Sequence, residues 1–237
     1  MPYNEDYIFV VTVFVMYFPS FFMPSSELRS SRSPKTKIPR AKAPATKSLN
    51  SRSNKKNNAK NKETPLQKRE RLGLILAALR ASYPEPRIAL RYSSPFELLI
   101  ATALSAQCTD ERVNQVTEKL FAKYRAPADY LVVEQEELER DIFSTGFYKA
   151  KAKNIRACCA KLLSDFGGEV PQTMEELTSL AGVGRKTANV VLSHCFGVPG
   201  VVVDTHVTRL VNRMGICEGS DAVQLEFELM EYMPSQI

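Results

Sequence analysis

Two glycines separated by one residue, Gly182 and Gly184, lie between two helical patterns and constrain the fold more than any other feature. Because glycine lacks a Cβ atom, both can adopt backbone angles that other residues avoid, and the chain can reverse within three residues. Thr173 and Glu176 predict a capping box at the start of the preceding helix. A second helix begins near Arg185, with apolar residues at helical spacing. The sequence therefore predicts two helices joined by a tight hairpin.

The hairpin reads Gly182-Val183-Gly184-Arg185-Lys186, which is the pattern of a helix-hairpin-helix DNA-binding motif. Backbone N–H groups at such a turn and at the following helix start form a small anion site that suits a phosphate. We therefore expect Gly182, Val183, Gly184 and Arg185 to bind DNA. Lys186 falls in the first turn of the second helix, where the positive end of the helix dipole disfavours an ammonium.

A second pattern follows the hairpin. The β-branched run at residues 201–203 ends at Asp204, which is suited to cap a helix with apolar residues at Val207 and Val211. His206 lies in the first turn of that helix, either as a structural residue or as a phosphate contact.

The hairpin followed by Val203-Asp204-Thr205-His206 resembles the endonuclease III family of DNA glycosylases, over roughly residues 69–233. Residues 104–107 and 145–149 also resemble segments of that family. The resemblance implies a bifunctional DNA glycosylase and abasic-site (AP) lyase of base excision repair that removes oxidised pyrimidines. It implies that Lys186 and Asp204 are catalytic.

The same resemblance implies that Gln107 enters the space left by an extruded base. Phe147, on the loop after Gly146, is either a core aromatic or a wedge between bases. Three lysines on the next helix predict a solvated face or a contact with the DNA backbone: Lys149, Lys151 and Lys153.

The expected mechanism follows from the chemistry. A damaged base inside a duplex must be flipped into a pocket before it can react. Lysine attacks the sugar C1′ only as a neutral amine, and we expect burial, Arg185 and the helix N-terminus to favour that form of Lys186. The Schiff base then permits β-elimination of the 3′ phosphate, while Asp204 stabilises positive charge developing on the sugar. A glycosylase that activates water needs only the aspartate, so Lys186 favours the bifunctional class.

Nearly every remaining element has helical spacing, with start signals at Thr64, Ser94, Thr109 and Ser220. The predicted fold class is all-α. The resemblance implies a six-helix domain at residues 88–198 that contains the hairpin. Residues 64–87 and 199–237 would form a second helical half-domain, which we expect to be truncated before the cluster loop.

That cluster loop matters because the family normally carries a four-cysteine iron–sulfur (4Fe-4S) cluster near its C-terminus. The five cysteines here are scattered, and none belongs to a closely spaced set. We therefore expect no cluster and no other metal in this chain, with free thiols in a reducing compartment. The alternative function is a non-catalytic DNA-binding module, or an inactive truncated product, that holds phosphates without turnover.

Charge is distributed unevenly along the chain. Residues 27–71 contain 15 Lys and Arg against 3 Asp and Glu, whereas residues 72–237 contain 17 against 21. We expect residues 1–63 to form a disordered basic tail, with residues 24–63 either a solvated linker or a phosphate-binding arm. The apolar run at residues 7–23 has three interpretations: a translated upstream segment with Met23 as the start, an atypical targeting segment or anchor, or a buried strand or helix.

These observations give one expectation for partners and location. We expect a monomer that binds double-stranded DNA with damaged pyrimidines or abasic sites and has no membrane partner. In a bacterium, the expected location is the cytoplasm, in association with the nucleoid.

Overall fold

The computed structural model describes residues 63–83 and 88–233. These residues form ten α-helices and one short 3-10 helix, and they contain no strand, so the all-α prediction is confirmed. The helices are α1 (Pro65–Ser82), α2 (Pro95–Leu104), α3 (Asp110–Lys123), α4 (Asp129–Val132), α5 (Gln135–Asp141), α6 (Tyr148–Phe166), α7 (Met174–Thr178), α8 (Arg185–Phe196), α9 (Thr205–Met214) and α10 (Ala222–Tyr232), and the 3-10 helix spans Phe143–Thr145.

Side-chain caps define most of the helix starts. Thr64 and Gln67 form a complete capping box at α1. Thr173 caps α7, but the predicted capping box is only half formed. The Glu176 carboxylate accepts a hydrogen bond from the Thr173 hydroxyl and not from the Thr173 backbone N–H. The last helix is capped by Asp221, one residue later than the sequence predicted.

Buried apolar side chains form two separate clusters. The larger cluster is built from α2 to α8, and the smaller one from α1, α9, α10 and part of the segment before α9. Successive valines of that segment point in opposite directions, as they do in an extended chain. Val202 packs into the larger cluster, while Val201 and Val203 pack into the smaller one.

Residues 88–198 contain seven of the ten helices, two of which, α4 and α7, have only four and five residues. The division into two domains at these boundaries stays a prediction. No helix in the two described ranges is long and apolar enough to span a membrane. The apolar run at residues 7–23 and the rest of the basic tail up to residue 62 lie outside the described residues.

Candidate active site

Only one of the two glycines in the hairpin between α7 and α8 has a backbone conformation that favours glycine. Gly182 has a φ of 75°, and a Cβ atom there would lie 2.9 Å from the Cβ of Asn154. Gly184 has an ordinary φ of −90° and would accept a Cβ without any contact within 4 Å. The expectation of unusual backbone angles is therefore correct for Gly182 and wrong for Gly184.

The start of α8 leaves several donors unused. Gly184 is the N-cap and provides no side-chain cap. Within the part of the chain that the structure describes, the N–H groups of Gly184, Arg185 and Lys186 donate to no protein acceptor. An anion would satisfy them, since a helix N-terminus carries free donors and partial positive charge. Val183 differs, because its side chain is buried and its N–H donates to Leu180 at 3.2 Å.

Arg185 has a partner that the sequence did not predict. Its Nε and Nη2 atoms donate to the two carboxylate oxygens of Glu226, at 2.8 and 3.0 Å. The guanidinium also lies 4.8 Å from the centre of the Phe227 ring. Glu226 is only 4% exposed, and a buried carboxylate is strongly unfavourable without such a partner. Arg185 therefore joins α8 to α10, and its contact with DNA stays a prediction.

The structure brings Lys186 and Asp204 together. Asp204 Oδ1 accepts the N–H groups of His206 and Val207, both at 2.9 Å, so this oxygen caps α9. The other oxygen, Oδ2, lies 3.9 Å from Lys186 Nζ. One carboxylate thus fixes the start of a helix with one oxygen and presents the second to the lysine.

The environment of Lys186 differs from the expected one. Its side chain is 60% exposed, against 18% for Asp204, so the lysine is not buried in the free protein. The positive charge of Arg185 is balanced by Glu226. Of the three influences expected to favour a neutral amine, only the N-terminus of α8 is present without DNA.

An open cleft of about 800 Å³ lies in front of the pair. Its volume falls within the range of small-molecule sites. The lining residues come from the loop after α2, the start of α8, the segment before α9, α9 itself, the loop before α10 and the first residue of α10: Gln107, Lys186, Val203, Asp204, Thr205, His206, Thr208, Arg209, Asn212, Ser220 and Ala222. The cleft thus brings Gln107 and His206 to the lysine–aspartate pair.

Gln107 and Phe147 share an unusual backbone conformation. They are the two non-glycine residues with positive φ in the described ranges, at 54° and 48°. Both side chains are exposed, and Phe147 is 67% exposed. Such angles cost about 1–3 kcal/mol each in a non-glycine residue and cluster at functional sites.

Comparisons with known proteins place the sequence and the fold in one family. A sequence model of the HhH-GPD superfamily of base excision DNA repair proteins matches residues 100–235. Endonuclease III of Synechocystis sp. is 50% identical over 168 residues, which cover 70% of this chain and 77% of the relative. Two solved structures, a non-covalent endonuclease III–DNA complex and a trapped endonuclease III–DNA covalent intermediate, match with a TM-score of 0.68 at 48% identity, over 70% of this chain and 78% of theirs.

The chain belongs to the endonuclease III family. The resemblance seen in the sequence is confirmed, and the chain is a base excision repair DNA glycosylase by family and a DNA-binding protein by fold. The individual roles of the site residues are not tested by these comparisons and stay predictions.

Two residues near the candidate site have environments that the sequence did not predict. Asp110 opens α3, and burial raises the pKa of its carboxyl, Glu111 raises it further, and Lys186 lowers it. This influence brings a second carboxylate, besides that of Asp204, to the surroundings of Lys186. In the sequence, Asp110 is only an acidic residue in the first turn of a helix. Acidic residues are common there because they interact favourably with the positive end of the helix dipole.

The second missed residue is Lys151, for which the prediction of a solvated face or DNA contact is wrong. The side chain is buried, and its Nζ donates to the carbonyl oxygens of Leu104 and Thr145, each at 2.8 Å. Burial lowers the pKa of Lys151, while nearby Cys108 raises it. The spacing contained a signal, because Lys151 precedes Ile155 and Cys158 by four and seven residues, on the apolar face of α6.

The cysteines do not fit the cluster that this family normally carries. All five are free thiols, three of them buried. Burial raises the pKa of Cys158 and of Cys195 to about 11, and that of Cys217 to about 12, so these thiols stay protonated at neutral pH. No group of three or more His, Cys, Asp or Glu among the described residues could hold a metal ion. That the chain works without a cluster stays a prediction.

Proposed function

We propose that this protein is a bifunctional DNA glycosylase and AP lyase that removes oxidised pyrimidines from double-stranded DNA. One observation carries the proposal: Lys186 Nζ lies 3.9 Å from Asp204 Oδ2 at an open cleft, beside a helix start with free N–H donors. An amine next to a carboxylate supplies a nucleophile and a group that can accept its proton. The free N–H donors form a binding site for a phosphate of the reacting strand.

The first chemical step is displacement of the base. The flipped nucleotide occupies the cleft, and the neutral amine of Lys186 attacks C1′. The bond between C1′ and the base breaks, and the base leaves with the bonding electron pair and takes up a proton. Asp204 Oδ2 stabilises the positive charge that develops on the sugar as this bond breaks.

The second step cuts the strand. The nitrogen of Lys186 first gives up a proton, and the C1′–O4′ bond then breaks and opens the sugar ring. C1′ is left as a protonated imine with Lys186 Nζ, and O4′ takes up a proton. Loss of a proton from C2′ sends its electron pair toward this imine, and the 3′ phosphate leaves by β-elimination. Water then hydrolyses the imine and regenerates the lysine. One amine therefore accounts for both base removal and strand cleavage.

Bound DNA supplies what the free site lacks. Lys186 is 60% exposed in the free protein, whereas attack on C1′ needs a neutral amine. A nucleotide in the cleft covers the amine, and this desolvation favours its neutral form. The separation of 3.9 Å from Asp204 exceeds a hydrogen bond, but a small movement of the exposed lysine chain closes it.

The covalent step is tested by borohydride trapping on duplex DNA with an abasic site. We expect the wild-type protein to form a stable protein–DNA adduct and Lys186→Ala to form none. Lys119→Ala, which removes an exposed lysine from α3, is the matched control and should trap normally. Undiminished trapping by Lys186→Ala would move the nucleophile to another residue.

The substrate class is tested in the same assay on duplexes with different lesions. We expect release of an oxidised pyrimidine such as thymine glycol, and much slower release of an oxidised purine. The opposite preference would refute the pyrimidine assignment while leaving the Schiff base intact.

A non-catalytic DNA-binding module is the second candidate. The observation that favours it is the 60% exposure of Lys186, which is usual for a solvated surface lysine. Tight binding to abasic-site DNA without any trapping by the wild-type protein would select this alternative.

A further inference from the structure

Two loops that are distant in the sequence are joined by a single buried side chain. Lys151 is 8% exposed, and its Nζ donates at 2.8 Å to Leu104, the last residue of α2, and at 2.8 Å to Thr145, the last residue of the 3-10 helix. Gln107 follows Leu104 by three residues, and Phe147 follows Thr145 by two. We call this arrangement the Lys151 bridge.

The position suits a hydrogen-bond donor for a specific reason. The last carbonyls of a helix have no intrahelical donor and lie at the negative end of its dipole. The Lys151 bridge supplies donors to two such ends at once. Packing alone does not require lysine here, since the neighbouring positions on this face of α6, Ile155 and Cys158, are apolar. A buried charge is unfavourable without such partners, so the two carbonyls explain why it is present.

The loops that the bridge joins are also the strained ones. Gln107 and Phe147 hold positive φ angles of 54° and 48°. Such conformations persist only where the surrounding structure holds them. A bridge that fixes both loops at their roots limits how far either can relax or move relative to the other.

We propose that Lys151 is a positioning residue that holds the Gln107 and Phe147 loops in fixed register, so that both side chains enter the DNA as one unit. This inference rests on the proposed function, because it assumes that these side chains enter DNA. It adds a residue that touches no DNA and acts only through the two loops.

The test uses the full chain and a duplex with a tetrahydrofuran abasic-site analogue beside 2-aminopurine, whose fluorescence rises when it unstacks. The variants are Lys151→Met, which keeps the length but removes the donors, and Lys151→Arg, which keeps the charge. Lys119→Met, at an exposed position of α3, is the control. Affinity for an undamaged duplex reports the hairpin and the cleft separately from insertion.

We expect Lys151→Met to bind the abasic-site duplex at least about fivefold more weakly and to lose most of the fluorescence rise, since stacking contributes about that much per base. Affinity for undamaged duplex should not change, and Lys151→Arg should restore part of the fluorescence rise. A normal rise with Lys151→Met would overturn the proposal. If the wild-type protein itself fails to prefer the abasic-site duplex, the proposed function is refuted, and with it the role of the bridge.

A double-mutant cycle keeps the proposal testable if Lys151→Met does not fold. Loops that act as one unit predict that Gln107→Ala and Phe147→Ala have non-additive effects on affinity for the abasic-site duplex in the wild-type background. Effects that add to within about twofold would show that the loops act independently and would refute the bridge.

Discussion

The two hydrophobic clusters differ in how fully their helices are covered. Helix α8, in the larger cluster, buries six consecutive residues, from 188 to 193. Helix α10, in the smaller cluster, buries only three residues and leaves Val223, Phe227 and Met230 at 44%, 54% and 37% exposure. Lys186 is on the well-covered side and Asp204 on the other. The geometry of the reactive pair therefore depends on the contacts that join the clusters.

Two polar contacts make that connection. The first is the paired hydrogen bond of Arg185 with Glu226, between α8 and α10. The second is the hydrogen bond from Asn189 Nδ2 to the carbonyl of Val201, at 3.4 Å, three residues before Asp204. Arg185 and Asn189 both lie in the first two turns of α8, the helix that also carries Lys186. Both contacts therefore fix the Asp204 side of the site relative to this helix.

The largest effect is expected from Arg185→Met. This change leaves the Glu226 carboxylate buried without a partner, which should lower the free energy of unfolding by about 3 kcal/mol. Urea denaturation gives the value, with Arg112→Met on the exposed face of α3 as the control. A loss below about 0.5 kcal/mol would mean that the pair behaves as an exposed one and that Arg185 is available to DNA.

Asn189→Ala is expected to have an intermediate effect. It leaves the buried carbonyl of Val201 without its donor and should cost about 2 kcal/mol. Base release should slow as well, because the segment that ends at Asp204 loses its tie to α8. Ser193→Ala is the matched control, since the Ser193 hydroxyl is buried but donates only within α8. Equal effects of the two changes on base release would show that the tie does not position Asp204.

The smallest effect is expected from Phe227→Ala. Its ring is 54% exposed and lies under the Arg185 guanidinium, an arrangement that contributes about 0.5–1 kcal/mol at exposed sites. The same denaturation series measures the change. A loss as large as that of Arg185→Met would show that stacking, rather than the carboxylate, holds the arginine.

Local rules predicted much of the fold. Caps such as Thr64, Ser94 and Thr109 are readable because a helix start is specified by about four consecutive residues. The pairing of Lys186 with Asp204 was predicted from the family resemblance of two motifs. No local rule would have brought these residues together, because 18 positions separate them in the chain.

Contacts made only by the tertiary structure were missed. Glu226 is 41 residues from Arg185 and has the sequence context of an ordinary helix carboxylate. Lys151 was assigned to the surface because lysine usually lies there, although its spacing matched the apolar face of α6. In both cases a charged side chain is buried because groups distant in the sequence form hydrogen bonds with it. Local sequence patterns do not identify those partners.

Amide hydrogen exchange of the free protein, followed by mass spectrometry, tests most directly whether the reactive pair spans two regions of different stability. We expect amides of α1, α9 and α10 to exchange at least about tenfold faster than those of α8, because opening the smaller cluster requires less free energy. In Arg185→Met that gap should widen. Equal protection of α8 and α9 in the wild-type protein would contradict the account, because Lys186 and Asp204 would then belong to one cooperative unit.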